Sequence, residues 1–195
     1  MTDTLADRRR LLIATSAVGA AATAGVAVPL VASLTPSERA RAAGAPVEVD
    51  IGKLAPGEMM TVEWRGKPVW ILHRTEAMLA SLEGNEAELV DPASAHPMQP
   101  AYAQNRYRAI NPRYLVAVGI CTHLGCSPSE KFGTGAASGL GADWPGGFLC
   151  PCHGSTFDLA GRVYLHKPAP DNLEVPPHKY LSDTGLIIGA DDAAA

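Results

Sequence analysis

All four cysteines of the chain lie in two short stretches, CTHLGC (Cys121–Cys126) and CPCHGS (Cys150–Ser155). Each stretch also holds one histidine, His123 or His153. Thiolate and imidazole are soft-to-borderline ligands, so the candidates are zinc, copper or an iron–sulfur group. Structural zinc loops usually pair like with like, cysteine near cysteine and histidine near histidine. Here the orders are Cys-x-His-x-x-Cys and Cys-x-Cys-His, which match neither form. The ligands on offer also exceed zinc's tetrahedral set. A second alternative pairs all four cysteines as two disulfides and leaves both histidines incidental. It is awkward, because residues two apart rarely close a relaxed bridge. A division of labour removes the surplus: one cysteine and one histidine from each loop bind metal, and the other two cysteines cross-link the loops.

Strands must present these loops. YLVAVGI (Tyr114–Ile120) reads as the strand that delivers Cys121, and GFL (Gly147–Leu149) delivers Cys150. Upstream, Val47–Ile51 alternates apolar and polar, as a half-buried strand does. MTVEW and PVWIL flank Arg65-Gly66-Lys67, a hairpin pattern. Thr75 is placed to cap a short helix running through Leu82. Downstream, RVYL, HKYL and GLIIG read as strands, the last two split by Ser182-Asp183-Thr184-Gly185. Short strands at close spacing predict an all-β, antiparallel sandwich or barrel. Glu83–Arg113 is polar and proline-rich and predicts no element, and the spacer Ser127–Gly147 is expected to be a surface insertion. Trp64, Trp70 and Trp144 are expected to anchor the core or the insertion. His73, His96, His166 and His178 are read as ordinary surface or structural histidines. Leu124, between a ligand and a cysteine, either docks on a partner or packs beneath a neighbouring loop.

The 195 residues allow one domain plus an appendage. Net charge is −4, and no basic stripe interleaved with aromatics occurs, which argues against nucleic acid. No charge occurs between Arg10 and Glu38. The run Leu11–Leu34, rich in small residues, would reach roughly 36 Å as a helix. That suffices for a hydrocarbon core of about 30 Å, and small residues suit packing on another membrane helix. Residues 1–10 carry Arg8-Arg9-Arg10, an address for twin-arginine export of folded protein. The expected division is a cytoplasmic segment 1–10, a transmembrane helix 11–34, a flexible hinge linker 35–46 and a domain 47–195. The cluster loops lie within 115–170. A cleaved signal peptide is the alternative, with Ala40-Arg41-Ala42 as a small-x-small site.

Both loops, together with the twin-arginine segment and PAPDNLEVPPHKY (Pro168–Tyr180), resemble the Rieske iron–sulfur subunits of bacterial cytochrome bc complexes. That resemblance implies a Rieske-type antiparallel β-sandwich with a small cluster-binding subdomain. It implies one [2Fe–2S] Rieske cluster, with Cys121 and Cys150 on one iron and His123 and His153 on the other. Cys126 and Cys152 would form a disulfide, and Ser155 would donate its hydroxyl to a cluster sulfur. Two imidazoles in place of two thiolates raise the potential, to roughly −150 to +300 mV across such centres. The implied function is electron transfer from quinol at cytochrome b to a c-type cytochrome, with proton release to the periplasm. His153 would take the quinol hydrogen bond, and His123 would share the proton-coupled step. The implied setting is a single-pass protein of a bacterial inner membrane, in a dimeric complex. The alternative is the Rieske subunit of another exported oxidase, of the arsenite-oxidase type. One departure stands out: many members carry tyrosine two residues after the loop serine, and this chain has Phe157. The expectation is a potential below that of tyrosine-bearing members.

Overall fold

The computed structural model describes residues 2–38, 42 and 44–192. Two units separate near residue 42. The first contains helix α1 (Thr2–Ala32), 31 residues long with Pro29 inside it. The helix has no amphipathic stripe, and its large apolar residues are exposed, Leu11, Val18 and Val31 among them. By length and composition it can cross a membrane. Its hydroxyls turn back onto its own backbone: Thr15 Oγ1 donates to the Leu11 carbonyl at 2.9 Å and Thr23 Oγ1 to the Gly19 carbonyl at 2.8 Å. That satisfies them without water, as hydrocarbon demands. Within the expected linker 35–46, residues 39, 40, 41 and 43 lie outside the described residues.

The second unit holds three antiparallel sheets of three strands each. In chain order the strands are β1 (Val47–Asp50), β2 (Met59–Trp64), β3 (Lys67–His73) and β4 (Tyr114–Val118). Then come β5 (Ser129–Lys131), β6 (Gly147–Leu149), β7 (Thr156–Phe157), β8 (His178–Tyr180) and β9 (Gly185–Ile188). The sheets are β1-β9-β8, β2-β3-β4 and β5-β6-β7. Helix α2 (Glu76–Ala80) is capped by Thr75, whose hydroxyl accepts from the Met78 N–H at 3.2 Å. The β2–β3 turn is Arg65-Gly66, both at positive φ, the conformation that matches strand twist in a two-residue hairpin.

The middle sheet explains why PVWIL and YLVAV are continuously apolar rather than alternating. Val69, Ile71, Val116 and Val118 form one face and pack with Val49, Ile51, Leu186 and Ile188 of β1, β9 and the residue after β1. Trp70, Leu72, Leu115 and Ala117 form the other face and pack with Phe148, Phe157, Cys121 and Cys150. A sheet covered on both sides needs apolar residues at every position. Trp70 stacks on Phe148 of β6, centroids 4.9 Å apart. Trp70 also leaves no room at Gly119: a Cβ there would meet its ring at 2.3 Å.

Two expectations need correction. Arg162–Leu165 is not a strand; it makes two isolated bridges, Leu89 to Tyr164 and Phe157 to Val163. Arg162 is drawn instead into a turn, where Asp158 accepts its backbone N–H at 2.8 Å and its Nε at 2.7 Å. The spacer Ser127–Gly147 is more than a surface insertion. It supplies β5, buries Trp144 against Leu89 and Tyr164, and packs Phe132 on the main core.

The proline-rich stretch 83–113 is held by buried arginines instead of a ladder. Arg74 donates to the carbonyls of Tyr107, Pro112 and Leu159. Arg108 donates to those of Ala160, Gly161 and Leu173, and to Gln99 Oε1 at 2.9 Å. Arg162 donates to the Leu82 carbonyl and Asn85 Oδ1 as well as to Asp158. All three are almost fully buried. Burial pushes Arg74 and Arg108 down to about 10, with Asp158 opposing the fall in each.

Candidate metal centre

β4 ends at Val118 and leads into Cys121, while β6 ends at Leu149 and leads directly into Cys150. Both loops then close by the same two backbone bonds. The Cys121 N–H donates to the Cys126 carbonyl at 2.7 Å, and the Gly125 N–H to the Cys121 carbonyl at 3.1 Å. The Cys150 N–H donates to the Ser155 carbonyl at 2.7 Å, and the Gly154 N–H to the Cys150 carbonyl at 3.0 Å. Gly125 and Gly154 both adopt positive φ, +83° and +76°, which only glycine adopts without strain.

Cys126 and Cys152 are bonded to each other across the loops, Cα to Cα 6.6 Å. Cys121 and Cys150 take no part in a disulfide, and each is 2% exposed. His123 and His153 meet edge to face at the rim, ring centroids 4.8 Å apart, with His153 exposed and His123 half-buried. The sulfurs of Cys126, Cys150 and Cys152 lie within 4.8 Å of one another, yet two of them are spent on the bridge, so this trio is no ligand set. What remains is one buried thiol and one rim imidazole per loop. Two sulfurs inside and two nitrogens outside fit the asymmetric donor set of a Rieske [2Fe–2S] group, with the rings turned toward solvent.

The Ser155 hydroxyl, wholly buried, accepts from the Ala169 N–H at 3.0 Å. Burial pushes the Cys121 thiol up; the His123 backbone N–H opposes this, and the adjoining Cys150 thiol adds to the rise. Further partners come from the far side of the loops. Ala169 belongs to the loop between Pro168 and Pro177, and so does Asp171, whose carbonyl accepts from Thr122 Oγ1 at 2.6 Å. One proline loop therefore clasps both cysteine loops. Its composition was visible, but which backbone atoms it would offer was not.

The other expected residues fall as follows. Leu124 is 73% exposed, so it does not pack beneath the proline loop. Phe157 is fully buried in the core that also contains Cys121 and Cys150. His73 Nδ1 lies 2.7 Å from the Leu54 carbonyl, and the ring stacks on Tyr114. His178 is buried, with Nδ1 2.8 Å from the Pro176 carbonyl. His96 Nδ1 lies 2.7 Å from Asp171. None of these three contributes to the centre.

Residues 47–177 match the family described as Rieske [2Fe-2S] domain. Residues 2–37 match that described as Ubiquitinol-cytochrome C reductase Fe-S subunit TAT signal. The chain is 58% identical over 189 residues to the "Ubiquinol-cytochrome c reductase iron-sulfur subunit" of Allochromatium vinosum, covering 96% of this chain and 91% of that one. It is 42% identical over 191 residues to the protein of the same name from Blastochloris viridis, covering 96% of each. The Rhodospirillum rubrum protein of that name is 42% identical over 179 residues, covering 92% of this chain and 89% of that one. With two buried thiols, two rim imidazoles and an inter-loop bridge on one antiparallel scaffold, the chain belongs to the Rieske family of ubiquinol–cytochrome c reductase iron–sulfur subunits.

Proposed function

We propose that the chain serves as the electron-transferring subunit of a quinol–cytochrome c reductase, with Cys121, Cys150, His123 and His153 holding its [2Fe–2S] group. The single observation that carries this reading is the partition of six candidate ligands into one bridge, two buried thiols and two adjoining imidazoles. When bound, the group supplies a one-electron relay whose reducing electron is favoured at the imidazole-bound iron. The exposed His153 ring offers a hydrogen bond to a quinol hydroxyl and takes up its proton. His123, half-buried beside it, shares that proton as the charge beneath it changes. Leu124 gives the tip an apolar contact for the quinol site of cytochrome b and then for a c-type cytochrome. The proton leaves from the exposed ring to the outer solvent. The Cys126–Cys152 bridge fits an oxidising compartment outside the inner membrane. Helix α1 serves as the anchor, and residues 35–46 serve as the hinge that lets the domain exchange partners within a dimeric complex.

The test is purification of the full chain from membranes. The reading expects an electron paramagnetic resonance signal from the reduced protein, co-purification with b- and c-type haems, and quinol-dependent reduction of cytochrome c. Zinc with no such signal overturns the cluster assignment. A signal without haem partners or quinol activity favours service to another exported oxidase.

A further inference from the structure

The Cys150 sulfur is buried and lies outside the bridge that joins Cys126 and Cys152. All three sulfurs lie within 4.8 Å of one another. A sulfur this near a disulfide can enter thiol–disulfide exchange once no metal holds it. We propose that Cys126, Cys150 and Cys152 form an intramolecular exchange centre, and that iron held by Cys150 is what keeps the bridge at Cys126–Cys152. This rests on the reading of Cys150 as a cluster ligand.

In the exchange, the Cys150 sulfur bonds to the Cys126 sulfur as the Cys126–Cys152 bond breaks. The proton that leaves Cys150 ends on the Cys152 sulfur. One S–S bond forms and one is lost, so neither oxidant nor reductant is consumed. Attack on Cys152 instead would bridge residues two apart, a poor geometry. Attack on Cys126 keeps the loops joined and frees Cys152, which is exposed. The exchange therefore swaps a buried thiol for a surface one and removes a ligand from the metal set. A chain bridged before loading would be exposed to this loss, and one loaded first would not. Export of an already folded chain, the route its N-terminal match names, permits loading first.

The full chain in detergent, loaded as judged by its visible and paramagnetic spectra, is divided in two. One half is kept loaded; the other is stripped with a chelator without reductant. Both are labelled with N-ethylmaleimide at once and again after about hours, the range of uncatalysed reshuffling. Cleavage after Lys131 and Arg162 leaves Cys150 and Cys152 in one peptide, whose fragments show which carries the label. In the stripped half, label is expected to build up on the exposed Cys152, at least about tenfold above the loaded half, while the buried Cys121 labels slowly. Cys152 that stays unlabelled overturns the proposal. So does label spread across all four cysteines, the mark of an unfolded chain. Replacing the attacking sulfur in Cys150→Ser must leave Cys152 unlabelled; a labelled Cys152 there overturns the proposal independently. Label on Cys150 in the loaded half would sink the ligand assignment instead, and the stripped half would still decide the exchange.

Discussion

The loops Cys121–Cys126 and Cys150–Ser155 have one backbone design and two chemistries. Both begin with a buried free cysteine, both place a positive-φ glycine fifth, and both close through the same pair of backbone bonds. At the second position Thr122 ties its loop to Asp171, while Pro151 can donate nothing. The third position is His123 in one loop and Cys152 in the other; the fourth is Leu124 in one and His153 in the other. At the sixth, Cys126 enters the bridge, while the Ser155 hydroxyl accepts from the Ala169 N–H. The equivalent positions include the two cysteines proposed to hold iron from inside. The unequal ones carry the cross-link, and the proposed function gives them contact and tuning.

The largest effects should come from the equivalent positions. Cys121→Ser and Cys150→Ser should each abolish the visible and paramagnetic signals of the loaded protein. Retention of the cluster by either variant would break the equivalence. Removing the bridge with Cys126→Ser and Cys152→Ser together tests an unequal pair. Its sequence separation of 26 corresponds to about 3.5 kcal/mol of chain entropy, or about 10 °C in melting temperature. An unchanged melting temperature would mean that the closed backbones suffice without it. Next comes tuning at loop 2. Ser155→Ala should lower the midpoint potential by about 60–100 mV, the equivalent of one charge-assisted hydrogen bond in a one-electron couple. Phe157→Tyr should raise it by some tens of millivolts, about half such a bond. Redox titration checks both, and shifts of the opposite sign would sink the tuning role.

The smallest effect concerns the proline loop that clasps both. His96 has its pKa raised, first by the hydrogen bond to Asp171 and then by Asp91. A group raised in the folded state stabilises below its unfolded value, here the ordinary 6.5, and loses that contribution as pH rises through the folded value. Thermal melts should therefore show a slight loss of stability above pH 6.5 that His96→Gln abolishes. The pair is exposed, so the shift should be the least of the four.

The sequence made the scaffold legible where local rules decide it. Thr75 announced its cap, Arg65-Gly66 its hairpin, and the apolar runs of β3 and β4 their strands. The two cysteine loops offered candidate ligands by residue type. What stayed hidden depends on partners distant in sequence. Arg162–Leu165 has the composition of a strand, but the Asp158 carboxylate captures its first residue into a turn. Trp144 looked like an insertion anchor, and only Leu89 and Tyr164 show what it anchors to. The clasp through Thr122 and Ala169 joins backbone groups to hydroxyls across 49 and 14 positions, a pattern without periodicity.

The buried guanidiniums of Arg74, Arg108 and Arg162 give the region its practical character. Because they bond to carbonyls from residues 82 to 173, the stretch 83–113 behaves as wiring between distant segments rather than as slack. Anyone trimming it to make a smaller electron carrier would cut anchor points on both sides of the iron-holding part. A shortened carrier would have to rebuild those carbonyl contacts before it could hold metal at all.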